Sequence, residues 1–250
     1  MTNLDELCST PFHLADAARR ARVLSRLADT ELFAALTHEP AGDQVELQMF
    51  DLPEGRFAVA CDLAERLADF AGAPIAHLAA PGRVLANALV SNAVGLLVNP
   101  GQPSQMLLDA NMLAWLMQAL RADARPVHVD GTCRLLPPDA EAVRVLADPL
   151  GQRMTDMAHL ARAVDLARVE WADGQNAHLL IVHGAATGHQ PAIAKALAEL
   201  IAFLPRLEGG VDITFDAPAR AEGALRIVAE TPQTNAEIPQ AKPSMPPRLR

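Results

Sequence analysis

Hydrophobic and polar positions change period several times along the chain, and each change marks a new element. Leu14, Ala17, Ala21, Leu24 and Ala28 recur at helical spacing, while Arg19, Arg22 and Arg26 fall on another face. This predicts an amphipathic helix that ends near Asp29. Glu31 to Leu36 reads as a strand, and a loop follows around Pro40 to Asp43. Val45, Leu47, Met49 and Asp51 then alternate with Glu46, Gln48 and Phe50, a half-buried strand broken at Pro53-Glu54-Gly55. Arg56 to Cys61 is its expected hairpin partner, adjacent and antiparallel. Asp62 is read as the N-cap of a helix through Leu63, Leu67 and Phe70, closed by Gly72 and Pro74. Ile75 to Leu78 is short and apolar, Pro81-Gly82 reads as a turn, and Val84 to Val90 has helical character. Gly95 to Val98 predicts a buried strand stopped by Asn99-Pro100-Gly101. Met106 to Leu108 adds a strand, and Asp109 or Asn111 caps a helix through Leu113, Leu116, Met117 and Leu120.

Arg125-Pro126 begins a second series, with Val127 and Val129 in a short strand and Pro137-Pro138-Asp139 announcing a helix from Ala140 to Ala147. Val164 to Trp171, a polar turn at Asp173-Gly174, and Ala177 to His183 form a hairpin pattern. Pro191 sits in the first turn of a helix whose apolar face carries Ile193, Leu197, Leu200, Ile201 and Leu204. Gly209-Gly210 leads into the strand-like Val211 to Phe215. From Thr231 onward, Pro232, Pro239, Pro243, Pro246 and Pro247 interrupt a stretch without aromatic residues or apolar periodicity, which predicts a disordered tail. The expected fold class is therefore α+β, as two mixed modules of mainly antiparallel sheet with packed helices. Their bounds are read as 1–122 and 126–230, followed by the tail at 231–250.

Composition narrows the function classes. Half of the 250 residues are hydrophobic and a fifth are charged, enough for packed cores. The 21 basic residues against 30 acidic ones give a net charge of −9, which argues against general nucleic-acid binding. No apolar run reaches membrane-spanning length, and Met1 to Cys8 lacks the pattern of a signal peptide. Cys8, Cys61 and Cys133 are odd in number and widely spaced, so no disulfide framework is expected and a cytoplasmic setting is.

Candidate chemistry is sparse. No G-x-S-x-G surrounds any serine, and no C-x-x-C or H-E-x-x-H is present. His178, His183 and His189 are the nearest approach to a metal set, but strand alternation puts His178 and His183 on opposite faces. His128 and Cys133 flank a turn and form no better set. Neither a metal nor a cofactor is expected. Cys61 reads as a small buried hydrophobe at a strand end, against the alternative of a thiolate activated by the next helix. The segment from Ile181 to His189 runs from strand through Gly184, Thr187 and Gly188 into a helix, the layout of an anion loop. It lacks the Lys and Ser or Thr of a Walker loop, and a G-x-G-x-x-G also fails. Arg19, Arg20, Arg22 and Arg26 form a local basic face, either a solvated helix surface or a contact for a partner or membrane.

Three segments together resemble the N-terminal domain of the SseB family: Thr30 to Leu36, the hairpin strand ending Phe57 to Asp62, and Gly95 to Gly101 with its Asn99-Pro100-Gly101 turn. The resemblance spans about Leu14 to Leu120, and Pro137 to Asp216 is similar in layout to the family's C-terminal domain. It implies a non-enzymatic binding or regulatory protein, since the family has no established catalytic site and is named for a bacterial serine-sensitivity phenotype. The alternative is a small-molecule enzyme or a nucleotide or phosphate binder using Gly184 to Gly188. The Asn-Pro-Gly turn also has a reading of its own. Pro100 keeps Asn99 out of helical space, and Gly101 permits a positive φ. With Gln102 and Gln105 beside it, the loop is the candidate surface for a protein partner.

Overall fold

The computed structural model describes residues 1–39, 45–124, 133–172, 174–215 and 222–229. The expected loop at 40–43, the strand at Val127 and Val129, His128, the Asp173 part of the hairpin turn and the tail at 231–250 lie outside the described residues.

The chain opens with a short helix absent from the pattern reading, α1 (Asn3–Leu7), and then α2 (Ala17–Asp29), capped by Asp16. A six-stranded sheet follows, built from β1 (Glu31–Ala35), β2 (Met49–Leu52), β3 (Gly55–Cys61), β4 (His77–Pro81), β5 (Gly95–Val98) and β6 (Met106–Leu108). The order is β4-β1-β3-β5-β6, with β2 beside β3. The β2–β3 hairpin is antiparallel as expected, with Phe50 opposite Phe57. β2 is shorter than the alternation suggested, because Leu47 makes only an isolated bridge to Leu36 and Val45 is exposed. Among the described residues of this sheet only β3 and β5 run parallel, the connection between them being β4 and two helices, α3 (Ala64–Ala71) and α4 (Gly82–Val90).

Strand alternation divides the apolar side chains between the two sheet faces. Leu32, Ala34, Ala58, Ala60, Leu96 and Val98 face α2, α4 and the last helix of this unit, α5 (Ala110–Ala119). Ala35, Val59 and Cys61 face α3 through Leu67. Pro81-Gly82 is not a free turn, since Pro81 ends β4 and Gly82 begins α4. Gly82 is required for a close approach, because a Cβ there would lie 2.1 Å from the carbonyl oxygen of Leu27.

The second unit begins with a strand the pattern reading missed, β7 (Cys133–Leu136), and continues with α6 (Ala140–Asp156), β8 (Ala163–Trp171), β9 (Asn176–His183), α7 (Gln190–Ala202), β10 (Val211–Phe215) and β11 (Leu225–Val228). β11 was also missed. α6 runs nine residues past the expected stop at Ala147 and carries Pro149 inside it, since Leu146, Leu150 and Met154 keep burying the same apolar face. The sheet order is β10-β9-β8-β11 with β7 beside β8, and β10 alone is parallel to its neighbour. Val164, Leu166, Leu180 and Val182 pack against α6 and α7. Two mixed, mostly antiparallel sheets with seven α-helices among the described residues make the fold α+β.

The two units meet through helices. Phe203, at the end of α7, joins the first core and packs edge-on against Trp115 at 5.6 Å. Lys195 donates to the carbonyls of Leu120 and Ala122 at 2.9 and 2.6 Å, closing the C-terminal end of α5. Arg83 bridges Glu199 and Asp29, while Arg153 pairs with Asp29 and Arg26 with Asp156. Arg26 of the basic face is thus spent on an internal contact.

Candidate functional site

The Asn99-Pro100-Gly101 loop stands on a buried polar network that draws in three distant parts of the chain. Asn99 is fully buried with φ 48°, a conformation Asn tolerates better than most residues, and Gly101 follows at φ 75°. Its backbone N–H donates to the Ala60 carbonyl at 3.0 Å, continuing the β3–β5 pairing by one residue. Its side-chain oxygen accepts from the Asp62 N–H at 2.9 Å, and its amide nitrogen donates to the Ser104 hydroxyl at 2.9 Å. Ser104, also fully buried, donates to Asp5 at 2.6 Å.

Asp5 is then gripped by Arg66, whose guanidinium donates at 2.5 Å and 3.2 Å to its two oxygens and at 3.0 Å to Asp62. Asp62 also accepts from the Thr2 hydroxyl at 2.6 Å. Asp62 does not cap α3 as expected, because Leu63 occupies the N-cap position and makes no side-chain bond there. The carboxylate turns instead to Arg66, one helical turn away. The hydrogen bond from Arg66 holds the Asp5 carboxyl well below the usual carboxylate range, against burial and with help from Ser104 and Thr2. Arg66 is correspondingly pushed above its ordinary value, chiefly by Asp5.

Every polar group of this network has a partner, which suits a rigid structural node better than a catalytic one. Cys61 beside it is fully buried, and burial followed by the Asp62 charge pushes its thiol up to about 11. It is a thiol at neutral pH and not an activated nucleophile. Cys8 is likewise pushed up by burial, with Asp5 adding to the effect.

Above the node, Gly101, Pro103 and Gln105 are exposed and Gln102 is half-buried. The loop is closed by Gln102 N–H donating to Asn99 and Gln105 N–H donating to Gln102. Gln105 has a structural task as well, since its side-chain oxygen accepts from the Gly101 N–H at 2.7 Å. Of the network, the sequence singles out Asn99 for its turn and Asp62 as a helix cap, but not their link to Asp5 and Arg66. Thr2-Asn3-Leu4-Asp5 is a capping-box sequence, and Asp62 and Arg66 stand four apart on a helix, so two local signals were available. No local signal joins Asp5 to Ser104, 99 positions away.

The Gly184 to Gly188 segment has the expected strand-to-helix course, with Gly184 at φ 72° and one 3-10 turn, Thr187–His189, running into α7. Thr187 and Gly188 are exposed, and the space a Gly184 Cβ would need is taken by the Arg162 side chain, 2.2 Å away. His178 and His183 do lie on opposite faces of β9. His178 is opposite Arg168 at the end of the helix-covered face, whereas His183 bonds Asp165 at 3.0 Å beside Arg226. Among the described residues no group of three or more His, Cys, Asp or Glu is placed to hold a metal ion, and no helix is long and apolar enough to cross a membrane.

No curated protein and no solved structure matches the chain. One family model does, and its span, residues 12–115, covers α2, β1 to β6, α3, α4 and the first part of α5 together with the Asn99 loop. Over that span the first module of this chain is similar to the SseB protein N-terminal domain.

Proposed function

We propose that the chain is a non-enzymatic binding protein of the SseB type, acting in the cytoplasm, and that it recognises a protein partner through the loop from Asn99 to Gln105. The observation that carries this reading is the contrast within the loop itself. Asn99 and Ser104 are wholly buried and fully hydrogen-bonded, while Gly101, Pro103 and Gln105 between and beside them are exposed. A loop held this way loses little conformational entropy on association, and scaffolded loops are where recognition residues concentrate. Free Cys8, Cys61 and Cys133 support the reducing location.

The test is affinity capture from the native host with the wild-type chain and with Gln102→Glu and Pro103→Asp, neither of which removes a bond of the buried node. Loss of the same captured protein in both variants, with unchanged melting temperature, is the expected result. Capture that is indifferent to both substitutions sinks the proposal. The alternative, a phosphate or nucleotide site at Gly184 to Gly188, has less support. Pro191 in the first turn of α7 supplies no amide, and the nearby Arg162 packs over Gly184.

A further inference from the structure

A different place in the molecule, independent of the Asn99 loop, carries a small-ligand reading. The helix-covered face of the second sheet is apolar along the cross-strand pairs Val164–Val182 and Leu166–Leu180, and both strands are fully buried there. The next pair on the same face is Arg168 opposite His178. Directly opposed side chains in an antiparallel pair have Cβ atoms about 5 Å apart, so these two act on the same volume.

Both carry a buried nitrogen without a hydrogen-bond partner, Nε of Arg168 and Nδ1 of His178. His178 is 5% exposed, and its other nitrogen lies 3.9 Å from Asp139, too far for a hydrogen bond. Among the described residues Arg168 forms no ion pair. Leaving such a group unpaired is costly, and native interiors leave very few in that state. Here two adjoin, and both line an open cleft of about 620 Å³ together with Asp139, Asn176, Glu208 and Gly209. That volume is within the ordinary range for small-molecule sites.

The charges lining the cleft define what fits. A guanidinium is permanently charged and presents a fork of donors matched to a carboxylate or phosphate. Nδ1 of His178, buried and without a partner, faces the same volume and can donate to the same anion, while Nε2 lies on the Asp139 side. Two of the acidic neighbours are already occupied: Asp139 caps α6 by accepting from Ala142 at 2.7 Å, and Glu141 is held by Arg144. The acidic rim that remains, with Glu208, disfavours a polyanion. We propose that this cleft binds a small compound bearing a single oxyanion group, carboxylate or phosphate, seated between Arg168 and His178.

The experiment is an NMR titration of the full chain with sodium acetate and, separately, sodium phosphate at constant ionic strength, following the His178 imidazole signals assigned through His178→Gln. The expected result is a saturable shift with a millimolar or tighter dissociation constant for at least one anion, weakened tenfold or more in Arg168→Gln. Saturation by acetate alone assigns the site to carboxylates, and saturation by phosphate alone to phosphates. Should Arg168→Gln fail to fold, Arg168→Lys keeps the charge without the fork and is expected to weaken binding severalfold. The proposal is overturned if neither anion gives a saturable His178 shift, or if the shift survives unchanged in the Arg168 variant.

Discussion

Two of the places where the chain brings polar side chains into its interior treat them in opposite ways. In the first module Asp5, Arg66, Asp62, Asn99 and Ser104 form a closed set in which each group is satisfied by another. At the end of the second sheet Arg168 and His178 face one cleft with unpartnered nitrogens. Burial alone therefore does not mark a functional site. A closed network raises the cost of removing any member, whereas an open pair has hydrogen-bonding capacity left for something else.

The comparison breaks most visibly at Arg66. Replacing Arg66 by Met strands two buried carboxylates, and denaturant unfolding is expected to show a loss of about 3–5 kcal/mol. A loss near zero would make the network ornamental. Next comes Asn99→Ala, which deletes both side-chain bonds and leaves a non-glycine residue at positive φ. A cost of about 1–3 kcal/mol is expected, measured the same way.

Acid probes the same node without mutation. The Asp5 carboxyl is depressed in the folded state, so its contribution is present above its unfolded value of about 3.9 and is lost as the pH falls through the folded value. The stability gap between wild type and Asp5→Asn should accordingly be constant near neutrality and narrow below about pH 4. A gap that is unchanged on acidification would assign the effect to packing. Asp165 is also depressed, by Arg226 foremost, and the Asp5→Asn comparison removes that shared background.

The open pair should respond with the smallest change and the other sign. Arg168→Met removes an unpartnered donor and keeps the apolar stem, so unfolding free energy should be unchanged or higher by about 1 kcal/mol. A loss of several kcal/mol in the same measurement would show that Arg168 belongs to the scaffold, as Arg66 does.

Local signals in the sequence were enough for most elements. The amphipathic period of α2, the β2–β3 hairpin around Pro53-Glu54-Gly55, the caps at Asp109 and Asp139, and Pro191 at the start of α7 all depend on neighbours a few residues apart. The edge strands β7 and β11 did not show, being only four residues long and defined by their pairing with β8. The helix begun at Ala140 is expected to stop at Ala147, yet α6 continues through Pro149 because packing of its apolar face outweighs the local cost. The sites divide in the same way. The turn at Asn99-Pro100-Gly101 was legible because proline, asparagine and glycine restrict their own backbone. Its anchoring on Asp5, Arg66 and Ser104, and the meeting of Arg168 with His178, depend on contacts between segments remote in sequence, and only the tertiary fold decides those.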